Sequence, residues 1–174
     1  MHRYLPVFST ASGLVATILA AAGFADAAVR PASVQADRIV IEKSAHRLTL
    51  YSGTRVLESY AVALGAGGTA PKTEAGDRRT PEGRYRVDGR NPHSAYHLSL
   101  HLSYPEARDL RAAAAEGVRP GGNIMIHGLP NGLGAIGSRH RAVDWTAGCI
   151  AVTDGEIEEI WRSVPDGTPV EIKP

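Results

Sequence analysis

Cysteine is almost missing: of 174 residues only Cys149 carries a thiol. One cysteine closes no intramolecular disulfide and builds no cysteine-rich zinc centre. Lysine is scarce too, with 3 residues against 16 arginines, and Lys+Arg at 19 nearly cancels Asp+Glu at 18. A net charge of +1 argues against a protein whose main task is gripping nucleic-acid phosphates. The arginine fork suits carboxylates, which leaves room for an anionic small substrate, although GC-rich codon bias gives the same excess. No apolar run is long enough for a membrane span. The best, around Leu14–Phe24, is short, and Pro6, Ser9, Thr10, Ser12 and Gly13 interrupt what precedes it. No G-X-Y period points to a collagen-like rod. What remains is an ordinary globular mixture, 43% apolar and 21% charged, long enough for one domain and a short appendage.

The appendage is the N-terminus. Arg3 gives a short positive start, the Ala- and Leu-rich stretch follows, and Ala25-Asp26-Ala27 has the small-x-small form of a cleavage site. Residues 1–27 read as a cleaved export signal, with an uncleaved anchor as the alternative, 28–36 as a short tail and 37–174 as one domain. No cysteine follows the apolar run, which excludes a lipoprotein anchor. Export implies an oxidising compartment. A lone thiol there is either a small buried hydrophobe or a working group.

Arg38–Glu42, His46–Tyr51 and Val56–Leu64 read as three short strands joined by tight turns, an antiparallel meander. Gly65–Arg79 is loop. Tyr85–Val87 resumes a strand that Asn91-Pro92 is expected to break. Tyr96–Tyr104 alternates strictly: Leu98, Leu100, Leu102 and Tyr104 on one face, His97, Ser99, His101 and Ser103 on the other. The period of two makes it a strand, with its polar face either solvated or the wall of a cleft. Pro105–Glu116 is a helix that Gly117 stops, and Asn123–His127 is another strand. Gly128–Trp145 reads as a long loop and Thr146–Val152 as a short extended run. Thr153 and Glu156 form a capping box for a helix that turns Ile157, Ile160, Trp161 and Val164 inward. Val170–Ile172 is a last strand. The sum is a mainly β domain with two helices.

Two apparent motifs carry little. Gly132-Leu133-Gly134-Ala135-Ile136-Gly137 spells G-x-G-x-x-G, but it lacks a β-α-β frame and no helix pattern starts within it. Six histidines follow His2, yet they lack the short spacings and the carboxylate or cysteine partners of a zinc site. No metal and no cofactor is expected.

The stronger signal is His127-Gly128 before the long loop and Thr146-Ala147-Gly148-Cys149 after it. A cysteine nucleophile needs a base within reach, and the base needs an orienter. If the strands flanking the loop are neighbours, imidazole and thiol meet. Gly148 would let the backbone approach an acyl carbonyl, and nearby N–H groups would cradle an oxyanion. The helix opened by Thr153 would favour a thiolate if its N-terminus lies close enough.

His-Gly, a gap, then Ser/Thr-x-Gly-Cys resembles the L,D-transpeptidase catalytic domain of the YkuD type. Here 18 residues separate His127 from Thr146. A second match lies upstream, where Lys72 and then Gly76-Asp77-Arg78-Arg79-Thr80-Pro81-Glu82-Gly83-Arg84-Tyr85 are similar to the family's G-D-x-x-T-P-E-G-x-Y segment. The resemblance runs from about Arg38 to Ile172 and implies a β-sandwich-like domain with a cradle over its site. It implies Cys149 as nucleophile and His127 as general base, with the Gly128 carbonyl holding the other ring nitrogen and Gly148 and Cys149 N–H groups at the oxyanion. It also implies peptidoglycan stem peptides as substrate, with a wall-anchored protein as a further partner. The setting would be the periplasm or cell envelope, with neither nucleic acid nor stable membrane insertion after signal cleavage.

Two departures stand out. Ala147 occupies the family's usual histidine position, and Ala151 stands where Arg or Asn commonly follows the cysteine. Asp144 through Thr153 resembles instead the YafK-like murein branch. His140 and Asp144 are candidates to replace the missing polar groups. Thr146 and Trp145 are candidates for contact with substrate, and Arg78, Arg79 and Arg139 for binding its carboxylates. Transfer to an amine and hydrolysis, as in an L,D-amidase or carboxypeptidase, both remain open. A catalytically inactive wall-binding module is the alternative from another class, though such a module has no need of a free thiol. A papain-like protease would need cysteine and histidine in the reverse order.

Overall fold

A computed structural model describes Met1, His2 and residues 34–174. The export signal over 1–27 and most of the tail over 28–36 lie outside the described residues. The expected meander is present as β1 (Arg38–Glu42), β2 (Arg47–Ser52) and β3 (Arg55–Ala61), paired antiparallel in sequence order. β4 (Gly83–Ser94), β5 (His97–Leu102), β6 (Met125–His127), β7 (Ile150–Ala151) and β8 (Pro169–Lys173) complete one sheet of order β3-β2-β1-β8-β4-β5-β6-β7. β8 runs parallel to β1, and β7 runs parallel to β6.

β4 is the hinge of this sheet. Its first residues, Gly83–Arg86, pair with β8, and Val87–Ser94 pairs with β5. The break expected at Asn91-Pro92 is therefore absent. Proline lacks an N–H for the ladder, but the register shifts between Asn91 and Ser94, so Pro92 sits in a bulge where no ladder bond is required.

The sheet curls until its two ends meet. β3 stops at Ala61, short of the expected Leu64, and the chain beyond it joins β7. Ala63 and Ala151 exchange both backbone hydrogen bonds, at 3.0 and 2.9 Å, and Gly65 bridges Thr146. The β-branched and leucine positions of the strands fill the inside of the curl. Ile39, Ile41, Leu48, Leu100, Leu102, Ile126 and Ile150 are all fully buried there.

Two α-helices flank the curl. α1 (Ala107–Ala115) starts with a capping box between Glu106 and Asp109 and is stopped by Gly117. α2 (Asp154–Ser163) opens on the expected Thr153–Glu156 capping box and buries Ile157 and Ile160 against the sheet, with Val164 at its end. The long loop is not wholly irregular, because Gly134–Ala142 forms 3₁₀ turns kinked at Gly137. Such turns are too short to need the apolar periodicity that marks an α-helix, so they left no pattern in the sequence.

Lys43 escapes a sequence reading entirely. It lies just past β1, is 1% exposed, and donates to Ala70 O (3.1 Å), Thr80 O (3.0 Å) and Glu82 Oε1 (2.9 Å). A buried ammonium is tolerated only when it is paired and fully hydrogen-bonded. Lys43 thus pins the loop between β3 and β4 onto the sheet. Lys43→Met strands Glu82 and two carbonyls, so we expect a loss of about 3–5 kcal/mol of unfolding free energy, read from urea denaturation at an unchanged m-value.

Candidate active site

β6 and β7 are adjacent parallel strands, with Ile126 opposite Ile150 and His127 opposite Ala151. Ile126 and Ile150 face the core at 0% exposure. Side chains alternate along a strand, so His127 and Cys149, each one residue away, face the opposite side. There they line one cavity of about 390 Å³ together with Arg78, Asn91, Tyr96, Ser99, Met125, Trp145, Thr146 and Ala147. The long loop leaves β6 and returns at β7, which brings imidazole and thiol to the same pocket.

His127 is 3% exposed, and its Nδ1–H donates to the Gly128 carbonyl at 2.7 Å. That bond fixes the tautomer and leaves Nε2 as the free base. Tyr96 packs on the ring, tilted by 41°, at 4.5 Å between centroids, and Trp145 meets it edge-on at 5.7 Å. Burial pushes the imidazole pKa below its usual 6.5, with the Gly128 bond acting the other way. Gly128 has no room for a side chain: a Cβ there would lie 2.8 Å from the Asp154 carboxylate and 3.0 Å from Ile157.

Cys149 is half-buried, and its thiol lies 3.5 Å from the Asn123 carbonyl. Burial pushes the thiol above its ordinary value of 9.0, opposed by the Met125 N–H and the Lys72 ammonium. Both shifts run toward the uncharged forms, thiol and imidazole. Lys72 is itself buried against Asp77 at 2.7 Å. Burial opposes ionisation of Asp77, but Lys72 and the N–H groups of Arg79, Thr73 and Glu74 hold its carboxyl down to about 2.

The Thr146–Cys149 turn is braced from within. Thr146 is 3% exposed; its Oγ1 donates to Cys149 O (2.8 Å) and accepts from Gly148 N–H (3.1 Å). Its backbone is tied to Leu64 O (3.1 Å) and Ala66 N–H (3.0 Å) across the seam. Thr146 is thus a brace for the turn that carries Cys149. The Gly148 N–H expected at an oxyanion is already donated to Thr146, because the hydroxyl two residues earlier reaches it first. That leaves the Cys149 N–H as the free donor of the pair. Gly148 adopts φ +127°, and a Cβ there would fall 2.7 Å from Arg79 O, so only glycine fits.

The remaining candidates divide by position. Trp145 and Arg78 line the cavity, and the Arg78 guanidinium donates to Trp145 O at 3.4 Å. His140 is 8% exposed and stands behind Trp145, accepting its Nε1–H on Nδ1 at 3.4 Å. Asp144 is engaged at both oxygens, by Leu64 N–H (2.7 Å) and His46 Nε2 (3.0 Å). Neither lines the cavity. Their hydrogen bonds position Trp145 and the seam instead. Arg139 is exposed on the 3₁₀ segment and donates to Ile136 O, and Arg79 turns to Gly67 O; neither lines the cavity. Ala147 opens onto the cavity, whereas Ala151 is wholly buried against Ala63. Among the described residues no group of three or more His, Cys, Asp or Glu is placed to hold a metal ion. Tyr96, Asn123 and Lys72 were missed as site residues. Tyr96 heads the alternating strand, and that position was the only signal for it.

The direction of the Cys149 shift has a measurable consequence. Alkylation of Cys149 by iodoacetamide should stay slow through pH 7 and rise only above 9.0, where the thiol ionises. A rate already maximal at pH 7 would mean a preformed thiolate.

Three comparisons bear on this arrangement. The YkuD family model, the L,D-transpeptidase catalytic domain, matches residues 36–172. YafK of Escherichia coli strain K12 is 32% identical over 112 residues, covering 63% of this chain. The chain matches only 38% of that protein's length. The helical cell shape determining protein Pgp2 of Campylobacter jejuni superposes with a TM-score of 0.62 at 26% identity, over 80% of this chain and 48% of that one. The L,D-transpeptidase of Mycobacterium smegmatis, at 14% identity and a TM-score of 0.52 over 80% of this chain and 59% of its own, shares the fold. The chain belongs to the YkuD family of L,D-transpeptidase catalytic domains.

Proposed function

We propose that this chain is an exported L,D-transpeptidase that acts on peptidoglycan stem peptides through a thioester on Cys149, with His127 as general base. The observation that carries the reading is the 2.7 Å bond from His127 Nδ1–H to Gly128 O. It leaves an unprotonated Nε2 in the cavity that also holds the sulfur. In the proposed reaction Nε2 takes the thiol proton as sulfur attacks the carbonyl of the third stem residue, the L-centre of a diamino acid. The Cys149 N–H faces the oxygen of the tetrahedral intermediate. Its collapse breaks the bond to the terminal D-amino acid, whose amine leaves with the proton from Nε2. The thioester then passes its acyl group to an amine, which crosslinks the wall or anchors a protein, or to water.

Several features support this assignment. His127 and Cys149 are both intact and share one cavity. Arg78 at the cavity edge suits the free carboxylates of a stem peptide. The likeness to a cell shape determining protein fits a role in wall remodelling and cell shape. One observation favours water as acceptor: Ala147 presents only a methyl group at the cavity, leaving space beside the nucleophile. The envelope location follows from the substrate and from the export signal read in residues 1–27.

The test is intact mass spectrometry after incubation with a disaccharide-tetrapeptide. Wild type should gain a mass equal to the disaccharide-tripeptide acyl group, with release of the terminal D-alanine, and Cys149→Ala should gain nothing. Crosslinked dimers or plain tripeptide then name the acceptor. No adduct and no product, with tetrapeptide or with crosslinked and protein-linked muropeptides, would favour a binding module.

A further inference from the structure

The cavity has a polar wall that the reaction above leaves unused. Asn91 on β4, Ser99 on β5 and His127 on β6 are consecutive register partners, so they form one row across three strands. Paired residues in a sheet point to the same face, and all three line the cavity. Ser99 is 2% exposed as a residue and lines the cavity. A serine hydroxyl at a cavity wall can donate one hydrogen bond to a ligand there. Asn91 accepts the His93 N–H on Oδ1 at 2.9 Å, which leaves its amide NH₂ to donate. Beyond the catalytic imidazole the cavity floor thus offers two neutral donors in line.

The direction of the row identifies what it meets. The sulfur lies on the β7 side of His127, and Ser99 and Asn91 lie on the β5 and β4 side. The leaving amine must approach Nε2 to collect its proton, so the residue that leaves extends away from the sulfur, over β5 and β4. Strand spacing puts Ser99 about 5 Å and Asn91 about 10 Å from His127 along the sheet. An amino acid's carboxylate oxygens lie about 3 Å from its own nitrogen. Arg78 enters from the other side, bonded to the Trp145 carbonyl.

We propose that Ser99 and Asn91 form the subsite for the leaving residue and hold its terminal carboxylate by hydrogen bonds from hydroxyl and amide. Both are specificity-determining residues, and the assignment rests on the transpeptidase reading above. It makes the enzyme selective for a stem that ends in a free carboxylate one residue past the scissile bond.

The experiment compares a disaccharide-tetrapeptide with the same compound carrying a terminal carboxamide, using wild type, Ser99→Ala and Asn91→Ala. Wild type should prefer the free acid. Each variant should lose about tenfold to a hundredfold in kcat/KM on the acid, mainly through KM, as expected for one hydrogen bond to a charged group. The preference over the carboxamide should shrink with it. The rate of Cys149 alkylation should not change, which separates this role from damage to the nucleophile. If Ser99→Ala fails to fold, Asn91→Ala, at an exposed position, carries the test alone. Variants that keep wild-type kcat/KM and preference on a wild type that turns over would overturn this subsite and leave the transpeptidase reading standing. A wild type inert toward both compounds would overturn both.

Discussion

The site depends on the closure of the curled sheet. Its eight strands leave two edges, and the paired backbone bonds between Ala63 and Ala151 join one end to the chain leaving the other. Around that seam the Thr146 backbone is tied to Leu64 and Ala66, and Asp144 holds the Leu64 N–H. Cys149 has no strand of its own to fix it. It stands between the seam and the first residue of β7, and its neighbours are placed by bonds to a segment more than 80 residues earlier in the chain. Without that closure β7 is two residues long and has only β6 beside it.

Small residues follow from the same closure. Ala151 is at 0% exposure in the seam, so this position presents no side chain to substrate. Gly148 passes within contact of the Arg79 carbonyl and has no room for a Cβ. Arg79 and Arg78 belong to the loop that Lys43 pins from below and that Asp77 folds around Lys72. The G-D-x-x-T-P-E-G segment is therefore the floor against which the Cys149 turn is pressed. Its hydrogen bonds tie a motif about 70 residues upstream of Cys149 to the cavity that holds Cys149 and His127.

Much of this was legible in the chain itself. Short apolar strand patterns pointed to β1, β2, β5 and β8, the Thr153 box to α2, and the His127 and Cys149 spacing to the pair that shares a cavity. What escaped depends on contacts between distant residues. Pro92 stays in β4 because a bulge absorbs it, and bulges have no composition of their own. Asp144 and His140 read as polar loop residues near the site, yet their hydrogen bonds turn them toward Leu64, His46 and Trp145. Gly148 lost its expected role to a threonine hydroxyl two residues away. Local pattern shows which residues can do chemistry; the seam decides which of them face the cavity.

The central claim is that His127 rests as a neutral base with its proton on Nδ1. Nitrogen NMR of the uniformly labelled protein, with Cys149 unmodified, reads that directly. The account predicts a protonated Nδ1 and an unprotonated Nε2 at pH 7, with the imidazolium appearing only below the ordinary histidine value of 6.5. A protonated Nε2, or an imidazolium at pH 7, would contradict it, because the nitrogen that the Gly128 bond leaves free would then have no lone pair to take a proton.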